Sequence, residues 1–347
     1  MRIALALALT GVVAVATTAS AGVAASRGVP QGFRPETVAA VGAHHLWVLG
    51  QSGCAGTCLA LVRSTDGGKH FSQIGLPPLP TQGTDPSIVF ANARDGFAYV
   101  EDETPLYVTH DGGRSWQRSG PRRAVTAFAA AGGFAYVVSG KHELERSRVG
   151  GNTWQRVMLA ALHEPFSLAA RGSDVWFLGP PRHRPDFDTM ALSSDHGRMF
   201  TPLEGPCLAE LGGTLVPAAG GVVWAVCPSG MMAWLALSKN GGRSFPAIRS
   251  YHDPRGLRQP ALTNGGRIAA ASARVAVLTR GAGGAFLRTT DAGRHWSVVR
   301  HTAGIQEVFW LAFATRRVGS AVVQLHDRTE LWRTTDGGAT WHSVPIH

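Results

Sequence analysis

Short runs in which apolar and polar positions alternate recur along the whole chain, and they are rich in β-branched and aromatic side chains. Cys58-Leu59-Ala60-Leu61-Val62-Arg63, Leu106-Tyr107-Val108 and Glu330-Leu331-Trp332-Arg333 are examples. A period of two predicts strands with one face toward each neighbour. Each such run leads into the same turn: Ser or Thr, any residue, usually Asp, any residue, Gly, two variable residues, then Trp or Phe. Seven copies begin at Ser64, Thr109, Ser147, Ser193, Ser238, Thr289 and Thr334, and they end at Phe71, Trp116, Trp154, Phe200, Phe245, Trp296 and Trp341. Their third positions are Asp66, Asp111, Val149, Asp195, Asn240, Asp291 and Asp336, a mean spacing of 45 residues.

A fixed period of this length marks one supersecondary unit repeated along the chain. In the turn, a carboxylate accepts from the backbone N–H groups that follow it, and the Gly supplies a positive φ at little cost. The closing aromatic ring folds beneath the turn and buries a large apolar area. Asn240 can replace the acid as a cap. Val149 cannot, so the third turn is expected to be looser. The fold expected is all-β, with four antiparallel strands per unit and the repeated turn joining the third to the fourth. In the second unit the strands are placed at about 87–92, 97–101, 105–109 and 116–118.

The N-terminus lies outside this pattern. Met1-Arg2 precedes an apolar stretch, Ile3 to Ala16, and then small residues suited to cleavage near Ala19-Ser20-Ala21 or Val23-Ala24-Ala25. This is the layout of a secretory signal peptide over 1–25, followed by a single domain over 26–347 in a secreted or extracytoplasmic protein. No later apolar run is long enough to span a bilayer. Four cysteines suit an oxidising compartment. The expected bridges are Cys54–Cys58 and Cys207–Cys227. Cys207 and Cys227 bracket a predicted hairpin with its turn near 218–221, which would set them on adjacent antiparallel strands. These thiols lack the His spacing of a zinc site.

The formal charge is +10, carried mostly by Arg. Lys69, Arg114, Arg198, Arg243 and Arg294 share one variable position of the turn and are read as a solvated rim. Because an up-and-down meander reverses at every connection, first-to-second and third-to-fourth turns emerge on one face, and the remaining connections on the other. The second face carries the longer segments, 75–86, 120–123, 139–143, 161–165, 179–188, 249–260 and 324–329. Long loops on a rigid scaffold are where binding concentrates. They supply Arg122, Arg123, Lys141, His142, His163, Arg182, His183, Arg184, Arg255, Arg258, Arg300, His301 and Arg328. A positive surface of this kind suits an acidic partner: an anionic glycan, a cell-envelope polymer or an acidic protein.

The seven copies resemble the Asp-box, or BNR, repeat of sialidases and sialidase-like β-propellers, over about Arg34 to His347. The likeness implies a seven-bladed propeller, closest in kind to the photosystem II assembly factor type, which acts as a binding scaffold. In those relatives the box lies at the blade periphery, away from the ligand. A sialidase of this superfamily uses an arginine triad to grip the substrate carboxylate, a Tyr–Glu pair and an Asp acid/base. The chain offers Phe33-Arg34-Pro35 as a partial match to the first-strand motif, with Tyr251 and Asp253 in a long loop. Arg34, Tyr251 and Asp253 are therefore the residues of the alternative reading, an exo-sialidase-like glycosidase. Tyr99, Tyr107 and Tyr136 lie in apolar strand contexts.

Other chemistry finds little support. Asp186 and Asp188 could offer oxygens to Ca²⁺, but without a ligand loop they read as solvated. His44 and His45 point to opposite faces of a strand. No phosphate-cradling loop precedes a helix, and export argues against nucleic acid. No cofactor is implied. The sequence thus predicts an exported, disulfide-linked, non-catalytic propeller that binds an acidic partner through its loop face. Every unit runs through its four strands without borrowing one, so blades one and seven are expected to close by packing alone, with 29–33 adding an outer strand.

Overall fold

The computed structural model describes residues 28–54, 56–80, 86–140, 143–158, 167–180, 187–208, 212–246, 262–263, 266–280, 285–300 and 304–347. The chain is a seven-bladed β-propeller, with seven four-stranded antiparallel sheets in sequence order. The blades span 34–74, 86–119, 125–157, 167–208, 214–263, 268–300 and 307–344. Blade 2, for instance, comprises Pro86–Phe90, Gly96–Val100, Leu106–Thr109 and Gln117–Ser119. The helical content of the described residues is one 3₁₀ turn, Ala219–Gly221. Among them no helix is long and apolar enough to cross a membrane.

First strands of successive blades pack on one another around the ring, and that of blade 7 meets that of blade 1. They therefore line the axis, and the short fourth strands form the rim. The core is divided among the seven seams, since each buried apolar cluster draws on two adjacent blades. The period of two explains this. On Asp174–Gly179, Val175 and Phe177 face blade 3, while Trp176 and Leu178 face blade 5. Each fully buried Phe, such as Phe97, Phe177 or Phe286, contributes about 1.5–3 kcal/mol of transfer free energy.

The repeated turn has one geometry in six blades. In blade 1 the Ser64 hydroxyl donates to Asp66 Oδ1 at 2.8 Å and accepts from the Gly68 N–H at 2.8 Å. Asp66 Oδ1 also accepts the Lys69 and His70 N–H groups at 3.1 Å. Asp111, Asp195, Asp291 and Asp336 make the corresponding bonds to the preceding hydroxyl and the following amides, and Asn240 substitutes through its side-chain oxygen. The third turn differs. With Val149 in the acid's place, the Ser147 hydroxyl donates to the carbonyls of Arg148 and Gly151 instead.

A second recurring bond ties the third-to-fourth turn to the first-to-second turn of the same blade. Gly67 N–H donates to His44 O at 2.9 Å, Gly112 N–H to Arg94 O at 2.8 Å and Gly337 N–H to Arg317 O at 2.8 Å. Blade 3 keeps it one residue early, from Val149 N–H to Gly133 O at 2.9 Å. The two sets of turns therefore share one face, hereafter the turn face, and the other connections form the loop face.

The turns also lock each blade to the one before it. The closing aromatic of every copy sits in the seam with the preceding blade, as Trp116 does in seam 1/2 and Trp341 in seam 6/7. Trp116 Nε1 donates to Gly75 O at 2.9 Å. The conserved geometry leaves no room for a side chain at the second turn glycine: a Cβ on Gly338, where φ is +84°, would lie 2.4 Å from Val277 of blade 6.

The ring closes without a shared strand, by apolar packing and one side-chain hydrogen bond. Val38, Val48, Val62 and Phe71 of blade 1 bury against Val322 and Leu331 of blade 7. Residues 29–33 add no strand; Val29 and Phe33 pack on this cluster from a turn. The Arg333 guanidinium of blade 7 donates to Ala43 O in the first turn of blade 1, which joins the ends of the ring.

Candidate functional site

The turn face is rigid and rich in cations. Exposed Lys or Arg comes from every blade, including Lys69, Arg114, Arg198, Arg243 and Arg294 at the shared turn position and Arg94, Arg274, Arg316 and Arg317 on the inner turns. Several guanidinium groups are anchored by one bond to a turn carbonyl. Arg114 Nη1 donates to Asp111 O at 3.1 Å, Arg243 Nη1 to Asn240 O at 3.2 Å and Arg317 Nε to Thr335 O at 3.3 Å. The capping carboxylates beneath them are already engaged. Asp66 is held well below the usual carboxylate range by the His70 ring at 2.6 Å and then by the His70 N–H. Asp291 is held low by the His295 N–H and then its ring.

The loop face has a different chemistry. Of the arginines expected to bind there, Arg122 and Arg123 are exposed in the connection between blades 2 and 3, and Arg328 lies in the second-to-third connection of blade 7. Acids accompany two of them. Arg123 lies 3.5 Å from Glu143, which also takes Arg156 at 3.1 Å, and Arg328 Nε donates to Glu330 at 2.7 Å and sits 3.5 Å from Asp327. Every Arg–carboxylate pair among the described residues is of this kind. Arg34 opens the innermost strand of blade 1, Arg34–Val41, at its loop-face end, and is exposed. Lys141, Arg182, Arg184, Arg255 and Arg258, together with Tyr251 and Asp253 and the side chain of Arg300, lie outside the described residues.

The segment 249–260 is not a connection between blades, as the sequence suggested. It falls between the third strand of blade 5, Met232–Ser238, and a two-residue fourth strand, Leu262–Thr263, which pairs with Met232 and Ala233. The Cys207–Cys227 bridge is present, with Cα atoms 5.1 Å apart, but its placement differs from the hairpin expected. Cys207 belongs to the outer strand of blade 4, Thr201–Leu208, and Cys227 to the second strand of blade 5, Val223–Ser229, so the bond crosses a seam. Cys58 is also disulfide-bonded, and the side chain of Cys54 lies outside the described residues.

Asp188 is not solvated. It is 1% exposed, its two oxygens have no hydrogen-bond partner among the described residues, and burial raises its pKa from 3.8 to about 7. It stands opposite a strand irregularity at Gly205, and Asp186 lies outside the described residues. Among the described residues no group of three His, Cys, Asp or Glu side chains could hold a metal ion. The strand tyrosines are structural: Tyr136 is fully buried, Tyr107 donates to Pro78 O at 3.1 Å, and burial pushes Tyr99 up to about 12.

Sequence reasoning missed one group of residues. Arg63, Arg146, Arg288 and Arg333 each stand immediately before the Ser or Thr of a turn, and each points toward the next blade around the ring. Arg146 Nη1 donates to His196 O at 2.6 Å and Arg288 Nε to Gly337 O at 2.8 Å, while Arg63 lies 5.2 Å over the Trp47 ring beside Gly112. The recurrence of Arg at that one position was the available signal.

No family model matches the chain, and no curated protein matches it. Solved structures do. YCF48 bound to a D1 peptide aligns with 18% identity over 90% of this chain and 94% of that one, with a TM-score of 0.58. YCF48 from Cyanidioschyzon merolae aligns with 13% identity over 89% and 97%, with a TM-score of 0.59. A puromycin hydrolase complexed with PGG aligns at 13% identity and a TM-score of 0.53, over 89% of this chain and 54% of its own. At these identities the likeness is one of fold, and in fold the chain is similar to the YCF48 propellers along nearly their whole length.

Proposed function

We propose that the protein is an exported, non-catalytic binding scaffold of the Asp-box propeller type, released from a signal peptide over 1–25 and folded as one domain over 26–347. It receives an acidic partner on its loop face, whether an anionic glycan, an envelope polymer or a protein segment. The observation that carries this reading is the asymmetry of the ring. Apart from the third-to-fourth connection of blade 5, 239–261, the turns on one face are short and locked by repeated hydrogen bonds, while irregular connections bearing Arg122, Arg123 and Arg328 gather on the other. The YCF48 neighbour, solved with a D1 peptide, supports a protein segment as the occupant.

The test is binding of a synthetic acidic peptide and of an anionic glycan to the secreted protein at low and high salt. Binding that weakens with salt and falls in Arg122→Ser/Arg123→Ser supports the reading. Binding unchanged in that variant would remove the loop face from it. Release of fluorophore from a fluorogenic sialoside, abolished in Arg34→Ala, would replace the scaffold with a glycosidase.

A further inference from the structure

We propose that the turn face is a second binding surface, and that it takes a linear, phosphate-bearing polyanion. The cations of this face are spread around a ring of seven blades, and no Arg–carboxylate ion pair among the described residues neutralises them. The loop face shows the reverse, with Arg123 and Arg328 paired to acids.

Three features select the occupant. The first is geometry: Arg114, Arg198, Arg243 and Arg294 descend from equivalent positions of equivalent turns on blades 2, 4, 5 and 6, with Lys69 at that place in blade 1 and Asn152 in blade 3. A small anion would reach one of them, whereas a polymer with closely repeated charges can engage several. The second is preparation of the guanidinium groups. Arg114 and Arg243 each spend one arm on a turn carbonyl, at 3.1 and 3.2 Å, and Arg243 Nη2 also reaches the Ser194 hydroxyl at 3.5 Å, which fixes the heads and leaves further N–H groups for contact with phosphate. The third is the character of the surroundings. Met199 is the one large apolar side chain strongly exposed on this face among the described residues, so the described part of the face lacks the apolar anchors with which a charged surface inserts into a bilayer.

The capping carboxylates stay ionised and offset part of this field, but their oxygens are taken by backbone and hydroxyl donors, and among the described residues none forms an ion pair with a guanidinium group. Asp111 takes the Arg114 and Ser115 N–H groups at 2.9 and 3.0 Å and the Ser115 hydroxyl at 2.6 Å.

The experiment measures binding of long-chain inorganic polyphosphate to the whole secreted protein across a salt series. Arg114→Ser/Arg198→Ser/Arg243→Ser/Arg294→Ser is compared with the loop-face variant Arg122→Ser/Arg123→Ser. The turn-face variant is expected to lose about tenfold or more in affinity and to show a shallower dependence of log affinity on log salt, while the loop-face variant changes less than about twofold. An unchanged melting temperature confirms that the turns still form, since the bonds that close them come from the Ser or Thr hydroxyl, the Asp or Asn side chain and the backbone. The proposal is overturned if the turn-face variant binds polyphosphate like the parent, or if poly-glutamate or anionic phospholipid vesicles bind the parent as tightly. The loop-face reading has its own variant and its own probes, so either one can fail alone.

Discussion

Seams 1/2 and 5/6 are built around the same pair of indoles, one from a second strand and one closing the next blade's turn. In seam 1/2, Trp47 Nε1 donates to Gly112 O at 2.9 Å and Trp116 Nε1 to Gly75 O at 2.9 Å; Trp47 also stacks on Phe90 at 3.7 Å. In seam 5/6, Trp224 and Trp296 meet edge to face at 5.9 Å, and neither indole N–H finds a partner among the described residues. Apolar burial does not explain the contrast, because seam 5/6 holds an extended apolar cluster in which Trp224, Leu235, Leu262 and Leu278 are fully buried. Apolar packing is interchangeable from seam to seam, and the polar complement is not. A buried N–H left without an acceptor costs about 1–3 kcal/mol; among the described residues seam 5/6 has two such indoles, where Trp234 in seam 4/5 and Trp310 in seam 7/1 are single cases, so seam 5/6 is expected to open most readily.

Blade 5 is thus held unequally. On its other side, seam 4/5 carries the Cys207–Cys227 bridge and a bond from Trp176 Nε1 to Gly241 O at 2.8 Å. Removing the bridge with Cys207→Ala/Cys227→Ala gives the largest expected effect, a loss of about 3 kcal/mol in denaturant unfolding. Hydrogen exchange should show the gain in opening concentrated in blade 5. Uniform acceleration around the ring would mean that the seams do not open independently.

The next effect in size is pH-dependent and lies on blade 4, beside the strand that carries Cys207. The folded protein keeps the Asp188 proton up to about pH 7, whereas the unfolded chain releases it near 3.8. The folded state therefore binds more protons in that interval, and its stability falls as pH rises through it. Asp188→Asn should gain about 2 kcal/mol at pH 8 and little at pH 4. Asp66 and Asp291 act in the opposite sense, since their depressed values add stability that is lost as the solution becomes strongly acidic. A gain of equal size at both pH values in Asp188→Asn would mean that the charge is not what burdens the site.

The propeller was legible in the sequence because its determinant is local: an acid, a glycine and an aromatic at fixed offsets make the same turn wherever they occur. The blade 2 strands fall within two residues of expectation for that reason. What depends on register between distant segments was not legible. Glu143 reaches both Arg123 and Arg156 only because the third strand of blade 3 begins beside both. The disulfide was paired correctly by proximity in sequence, yet its place across a seam follows from Cys207 lying in the outer strand Thr201–Leu208, whose two prolines and glycine obscure any alternation. Brevity hid Leu262–Thr263 and misplaced 249–260. Arg63, Arg146, Arg288 and Arg333 recur at one position and were legible in principle, but their partners lie in the next blade, at contacts that no local spacing shows.

Matched substitutions isolate the polar part of the seam comparison. Trp47→Phe and Trp224→Phe each remove a similar apolar volume from a fully buried site. In the first, Gly112 O loses its donor; in the second, an unsatisfied N–H disappears. Trp47→Phe should be the more destabilising by about 1–2 kcal/mol in thermal or denaturant unfolding, and equal losses would show that the indole bond contributes nothing to the seam.

The smallest effect probes the backbone of seam 5/6. Ala292 occupies the turn position held by Gly67, Gly112, Gly241 and Gly337, and it adopts the same left-handed conformation, with φ at +60° against +74° to +82° for those glycines. A Cβ there is strained, whereas glycine reaches the region freely. Ala292→Gly should therefore stabilise the protein by about 0.5–1 kcal/mol, the reverse of the usual cost of introducing glycine, because relief of the native strain exceeds the added freedom of the unfolded chain. The same substitution carries a second readout. If the alanine conformation also keeps the carbonyl of residue 292 from the Trp224 N–H, the glycine variant lets that bond form as it does at Gly112 and Gly241. Slower hydrogen exchange at the Trp224 indole would then accompany the gain, and a gain without it would assign the whole effect to backbone strain.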